Sequence, residues 1–144
     1  MALDRGTRIY AAVLLFLVVG LAVLALYEPP EVARLNARLS ADPQVAAFPY
    51  PFRVLRLEEG DTAVMSTPRS TAVPVERILG ILFPESAGRS GDAPEFQAAQ
   101  RRLAEVQTRA RDLVLADPAV KRVRWVLDRD WLMRHGIQSP PSTP

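Results

Sequence analysis

The chain predicts an α+β protein: a single N-terminal transmembrane helix followed by a small α-β-β-α-α-β sandwich domain. Three observations carry this. Residues 9–27 form an apolar run without charge or proline. Residues 52–58 and 62–67 read as two β-prone arms around Glu58-Glu-Gly-Asp61, the pattern of a hairpin. Residues 94–127 pass from a helical period to two-residue alternation, as when an amphipathic helix leads into a half-buried strand.

At the helical rise the apolar run is roughly 28 Å long, close to the hydrocarbon thickness of a bilayer. Tyr10 and Tyr27 stand near its ends, where amphipathic rings prefer the headgroup level. The run is therefore expected to contact the lipid bilayer as an uncleaved anchor. A cleaved signal peptide is the competing reading, with Arg5 and Arg8 as its basic segment and Val23-x-Ala25 as a cleavage site. Against it, the run exceeds the usual apolar segment of about 7–15 residues, and no Ala-x-Ala ends it. The absence of Cys removes lipoprotein acylation. Arg5 and Arg8 lie nearer the run than Arg34 does on its other flank, so the N-terminal side is expected in the cytoplasm. The expected organisation is a cytoplasmic tail over 1–8, the membrane helix over 9–27, an extracytoplasmic domain over 28–137 and a disordered tail over 138–144. The expected setting is the bacterial inner membrane, with the domain in the periplasm.

Pro29-Pro30 ends the membrane helix. A short helix follows at about 31–41, with Val32, Leu35 and Leu39 on one face, until Asp42-Pro43 stops it. The segment from Phe48 to Phe52 alternates aromatic residues with proline and reads as a packed loop over the core edge, with an exposed recognition segment as the alternative. In the hairpin turn, Gly60 and Asp61 are expected to take positive φ. Pro74 opens a helix to Phe83, with Val75, Ile78, Leu79 and Leu82 as its stripe. After a loop at 85–93, Pro94 opens the longest soluble helix, to about 116. Its stripe is Phe96, Ala99, Leu103, Val106, Ala110, Leu113 and Val114. Val123, Trp125 and Leu127 then alternate with Arg122, Arg124 and Asp128. A last helical turn over 129–135 ends at Gly136, a left-handed cap. Trp125 is expected in the core; Trp131 is open between core and interface.

The motif Ala-Asp-Pro-x-Val occurs twice, at 41–45 and 116–120. Each copy is expected between a helix and a strand; shared turn chemistry explains both, and the alternative is that the echo marks two α-then-β units. The element order, the hairpin from Phe52 to Ser66 and the passage from Ala116 to Val126 resemble a BON-like domain, a small α/β module of bacterial envelopes. The resemblance covers about residues 31–128, with the helix at 74–83 as an addition. It implies phospholipid or envelope binding.

The net charge of +2 is too small to point to nucleic acid. Charge is uneven, however: residues 28–96 hold seven Arg against ten acidic residues, and residues 97–144 hold nine basic against five acidic ones. Arg122 and Arg124, with Trp131, are the candidate interface residues. Chemistry-bearing patterns are weak. His135, the sole histidine, sits beside a helix-ending glycine, where a surface or dipole role fits better than a Ser-His-Asp triad. Lys121 opens a strand among arginines, and Asp128 with Asp130 offers too few oxygens for a metal. No glycine-rich phosphate loop occurs, and no cofactor, metal or catalytic residue is expected. The chain reads as a single-pass accessory or interaction subunit of an inner-membrane or envelope complex, non-catalytic, with a membrane-protein partner; the alternative is a BON-like lipid- or envelope-binding module.

Overall fold

A computed structural model of the chain describes residues 4–138. The expected disordered tail falls, beyond Gln138, outside the described residues. The protein is mixed α+β with one small sheet, and it divides at Pro30 into an N-terminal helical unit and a body from Glu31 onward. Helix α1 (Arg5–Leu26) is long and apolar enough to cross a membrane, and every residue in it is exposed. It begins four residues before the apolar run, because extending an existing helix by one turn costs little once it is nucleated. Tyr27 leaves the helix with extended backbone, ahead of the two prolines.

Helix α2 (Pro30–Ala41) opens on Pro30 and buries Val32, Leu35 and Leu39. A short helix α3 (Pro43–Ala46) follows at once. The sequence reads Asp42-Pro43 only as a stop, yet the same two residues start α3. The Asp42 carboxylate accepts from the Gln44 and Val45 amides, both at 3.1 Å, and Pro43 takes the first helical position. The segment 48–52 is the packed loop. Phe48, Tyr50 and Phe52 are buried while Pro49 and Pro51 are exposed.

Strands β1 (Val54–Glu58) and β2 (Thr62–Thr67) form the antiparallel hairpin, with an irregularity between Val54 and Arg56. Its turn differs from expectation. Glu59 (φ 51°) and Gly60 (φ 79°) take the left-handed conformation, and Asp61 does not. Asp61 serves β3 instead: its carbonyl accepts from the Lys121 amide at 2.8 Å and the Arg122 amide at 3.3 Å. Helix α4 (Val75–Leu82), a 3-10 turn (Pro84–Ser86) and helix α5 (Pro94–Leu115) then return the chain to the same end of the sheet. Strand β3 (Arg122–Leu127) can therefore lie parallel to β2, giving the order β1-β2-β3. Helix α6 (Arg129–Arg134) ends at His135, and Gly136 (φ 74°) is the left-handed cap expected there.

One sheet face carries the core. Ala63 and Met65 from β2 and, half-buried, Leu57, Val123, Trp125 and Leu127 pack with the stripe of α5. That stripe is as expected except for Leu113, which is only half-buried. Trp125 is likewise half-buried, because β3 is an edge strand with no neighbour on its outer side. The fully sequestered indole is that of Trp131, 6% exposed. It stands edge-on to Tyr50 with ring centroids 5.4 Å apart. Trp131 thus belongs to the core. At the other edge, the Asn36 side chain of α2 both donates to the Val54 carbonyl (3.0 Å) and accepts from its amide (2.7 Å). This amide does for β1 what a neighbouring strand would do.

Candidate interaction surface

The candidate residues Arg122 and Arg124 project from the sheet face opposite α5. In register with them stand Thr62 and Val64 of β2, and Arg56 faces Val64 from β1. Val64 is wholly buried yet lies apart from the main core. Arg56 and Arg124 are its register neighbours on the two sides, where arginine stems lie over apolar neighbours while the charged heads stay in water. Glu58 joins the two heads. Its carboxylate accepts from Arg124 at 2.7 and 2.8 Å and from Arg56 Nε at 2.9 Å. At the turn, Asp61 accepts from Arg122 at 3.2 Å, and Glu59 adds an ion pair at 3.7 Å. The arginines hold both hydrogen-bonded carboxyls below their usual range: Arg124 then Arg56 act on Glu58, and Arg122 acts on Asp61. The excess of positive charge in the C-terminal third therefore does not create a free basic patch here. Three arginines meet three acidic residues on this face.

A second cluster explains the repeated Ala-Asp-Pro-x-Val motif more fully than turn chemistry alone. In each copy the aspartate divides its two oxygens. Oδ1 of Asp42 caps α3, and Oδ1 of Asp117 accepts from the Ala119 amide at 3.0 Å. Oδ2 of Asp42 takes Arg109 of α5 at 2.7 Å, and Oδ2 of Asp117 takes Arg34 of α2 at 3.1 Å. Each turn is thus gripped by the helix that leads into the other turn, so α2 and α5 run in opposite senses along this contact. Asp42 is held below the ordinary 3.8 chiefly by Arg109, against burial; Asp117 is lowered chiefly by the Ala119 amide, then by Arg34. A carboxyl lowered in the folded state contributes stability above its unfolded pKa and loses it as pH falls through the folded value. Thermal melting against pH is therefore expected to be flat from about pH 5 to about pH 9 and to fall steeply below about pH 4. Arg109→Gln is expected to lower the plateau and flatten the acid limb, since Asp42 then titrates nearer its unfolded value.

Asp128 repeats the same division. Oδ1 accepts from the Trp131 amide and caps α6, and Oδ2 accepts from the Tyr50 hydroxyl, both at 3.0 Å. Burial pushes the phenol well above its usual 10.0, so it remains a donor at any ordinary pH. Ser66 is 1% exposed, and its hydroxyl has no hydrogen-bond partner among the described residues. Tyr50→Phe strips Asp128 of a donor in a half-buried setting. It is expected to cost about 1–2 kcal/mol, read as a lower urea midpoint with an unchanged slope. His135 is exposed. Its ring Nδ1 lies 2.7 Å from the Trp131 carbonyl and its ring 4.2 Å from the Trp131 ring, so it covers the C-terminal turn of α6.

A shallow depression of about 480 Å³ lies beside the start of α4, lined by Arg69, Ser70, Thr71, Val73, Pro74 and Ile78. No three His, Cys, Asp or Glu side chains come close enough to hold a metal among the described residues. Compared with family models, curated proteins and solved structures, the chain matches none.

Proposed function

We propose that the protein is a non-catalytic accessory subunit, anchored by residues 9–27 as a single pass in the bacterial inner membrane. Its N-terminus is cytoplasmic, and the α+β body sits in the periplasm, where it contacts a membrane-protein partner. One observation supports this above the others: where the chain exposes large apolar side chains. Met133 of α6 is the one such residue in the described body; the rest, Ile9 to Tyr27, lie in the apolar run. A body that covers its apolar groups this well is stable in water, whereas α1 is apolar on every side and suits lipid, so this observation carries the anchor. The alternative of a BON-like phospholipid-binding module rests on element order. The neutralised charge on the open sheet face speaks against anionic lipid as its ligand.

Purification of the full chain in mild detergent, followed by mass spectrometry of what accompanies it, tests the subunit reading. A stoichiometric membrane protein is the expected companion; recovery of the chain without one, at partner-preserving salt, refutes it. Protease added to spheroplasts is expected to remove the body. An intact-mass measurement that finds the chain starting after Ala25 replaces the anchor with a signal peptide.

A further inference from the structure

We infer that the outer edge of β3 is a self-association site, at which two copies of this chain join their sheets by antiparallel pairing centred on Trp125. The edge geometry belongs to the body, so the inference does not depend on the membrane reading.

The hydrogen-bond ladder fixes which backbone groups are free. The Arg122 amide donates inward to the Asp61 carbonyl and the Asp128 amide inward to the Thr67 carbonyl. In a parallel ladder this alternation turns the N–H and C=O of Arg122, Arg124 and Val126 toward β2. It turns those of Val123, Trp125 and Leu127 outward. No hydrogen bond satisfies these outward groups among the described residues, whereas Asn36 caps the opposite edge. The side chains of the same residues, Val123, Trp125 and Leu127, are only half-buried. The edge also lacks the usual protections: it carries no proline and no bulge, and its arginines point to one face and are already paired.

The sequence of β3 selects a second copy as the occupant and sets its register. A two-fold axis lies either on an outward residue or on an inward residue between two of them; an axis on Arg124 opposes the two copies of that cation, and an axis on Val126 sets Val123 against Arg129 of α6, where no extended backbone exists to receive it. On Trp125, the two indoles meet, and Val123 faces Leu127 of the second copy, so the apolar face continues across the junction. On the polar face Arg124 meets Val126 and Arg122 meets Asp128, so no two cations are opposed. Every outward N–H and C=O of the strand finds a partner. An axis on Val123 instead sets Arg122 directly against Arg124, which is unfavourable. An axis on Leu127 runs the first half of the strand past α6, where no extended backbone exists to receive it.

Two variants of the full chain in detergent micelles test this. Native mass spectrometry of the wild type is expected to show twice the 15.9 kDa chain mass. Val123→Pro removes one outward N–H and leaves the inward ladder intact, as an edge position tolerates. It is expected to abolish the dimer while the circular dichroism spectrum is retained. Trp125→Cys places a thiol on the two-fold axis of a chain that has no other cysteine. Under mild oxidation it is expected to give a covalent dimer, and Val123→Cys, which faces a leucine, is expected to give little. A monomeric wild type overturns the inference. So does a dimer that survives in folded Val123→Pro, or a Trp125→Cys chain that cross-links no better than Val123→Cys. If Val123→Pro fails to fold, the comparison of the two cysteine variants decides.

Discussion

Replacing Leu17 and Val18 together with Arg is expected to move the protein from the membrane fraction to a soluble or degraded pool. Each cation at the centre of a membrane helix costs about 2.5–3.5 kcal/mol on insertion scales, so the pair costs on the order of 6 kcal/mol. The two positions lie about 100° apart around the helix, which spreads the charges over more than one sector. Neither can then be hidden by a simple rotation of α1. The comparison variant is Leu17→Ala with Val18→Ala, which keeps the run uncharged and is expected to remain in membranes. Carbonate extraction and immunoblotting read both. An arginine variant that stays as resistant to carbonate as the wild type removes the anchor from the proposal.

Several elements could be read because local chemistry decided them. Pro94 opens a helix, Gly136 closes one, and the stripes of α2, α4 and α5 bury nearly the residues their spacing picks out, whereas Pro30, read only as a stop, also opens α2. The packed reading of residues 48–52 followed from the same logic: Pro at alternate positions leaves the aromatics between them to turn inward. The failures share a different cause. Asp42-Pro43 is both the end of one helix and the start of another, and only the capping bonds show it. Glu59 adopts a conformation that favours glycine, and Asp61 two residues on is held by β3, a strand sixty residues onward. Pattern alone could not reveal that tertiary constraint.

The candidate surface was legible in part. Alternation along β3 separated Arg122 and Arg124 from Val123, Trp125 and Leu127, and the structure keeps that separation. Net charge over the C-terminal third misled, because it ignored the acids that the hairpin turn brings across from β1. The parallel placement of β3 that makes this pairing possible depends on the α4–α5 crossover, a choice no local window contains. The reciprocal grip of Asp42 by Arg109 and of Asp117 by Arg34 was hidden for the same reason. The repeated motif still marked both aspartates.

Trp131→Ala is expected to be the most damaging single substitution in the body, at about 3–5 kcal/mol, and to leave it largely unfolded at physiological temperature. From sequence, alternation along β3 makes Trp125 the core indole; the structure transfers that role to Trp131. Its ring is 6% exposed and closes an aromatic chain that runs through Tyr50 and Phe52, with centroids 5.4 and 4.9 Å apart. Truncation opens a cavity bounded by rings too rigid to collapse into it. It also frees the Asp128–Tyr50 bond to move, since Asp128 caps the helix that carries Trp131. Trp125 has one edge on Phe52, at 6.0 Å, and its other side open to solvent. Trp125→Ala is therefore expected to cost less, about 1–2 kcal/mol. Met133→Ala, on the exposed side of the same helix at 61% exposure, is expected to cost almost nothing. Urea unfolding of the three variants reads the order directly. A Trp125 variant less stable than the Trp131 variant would return the core indole to β3.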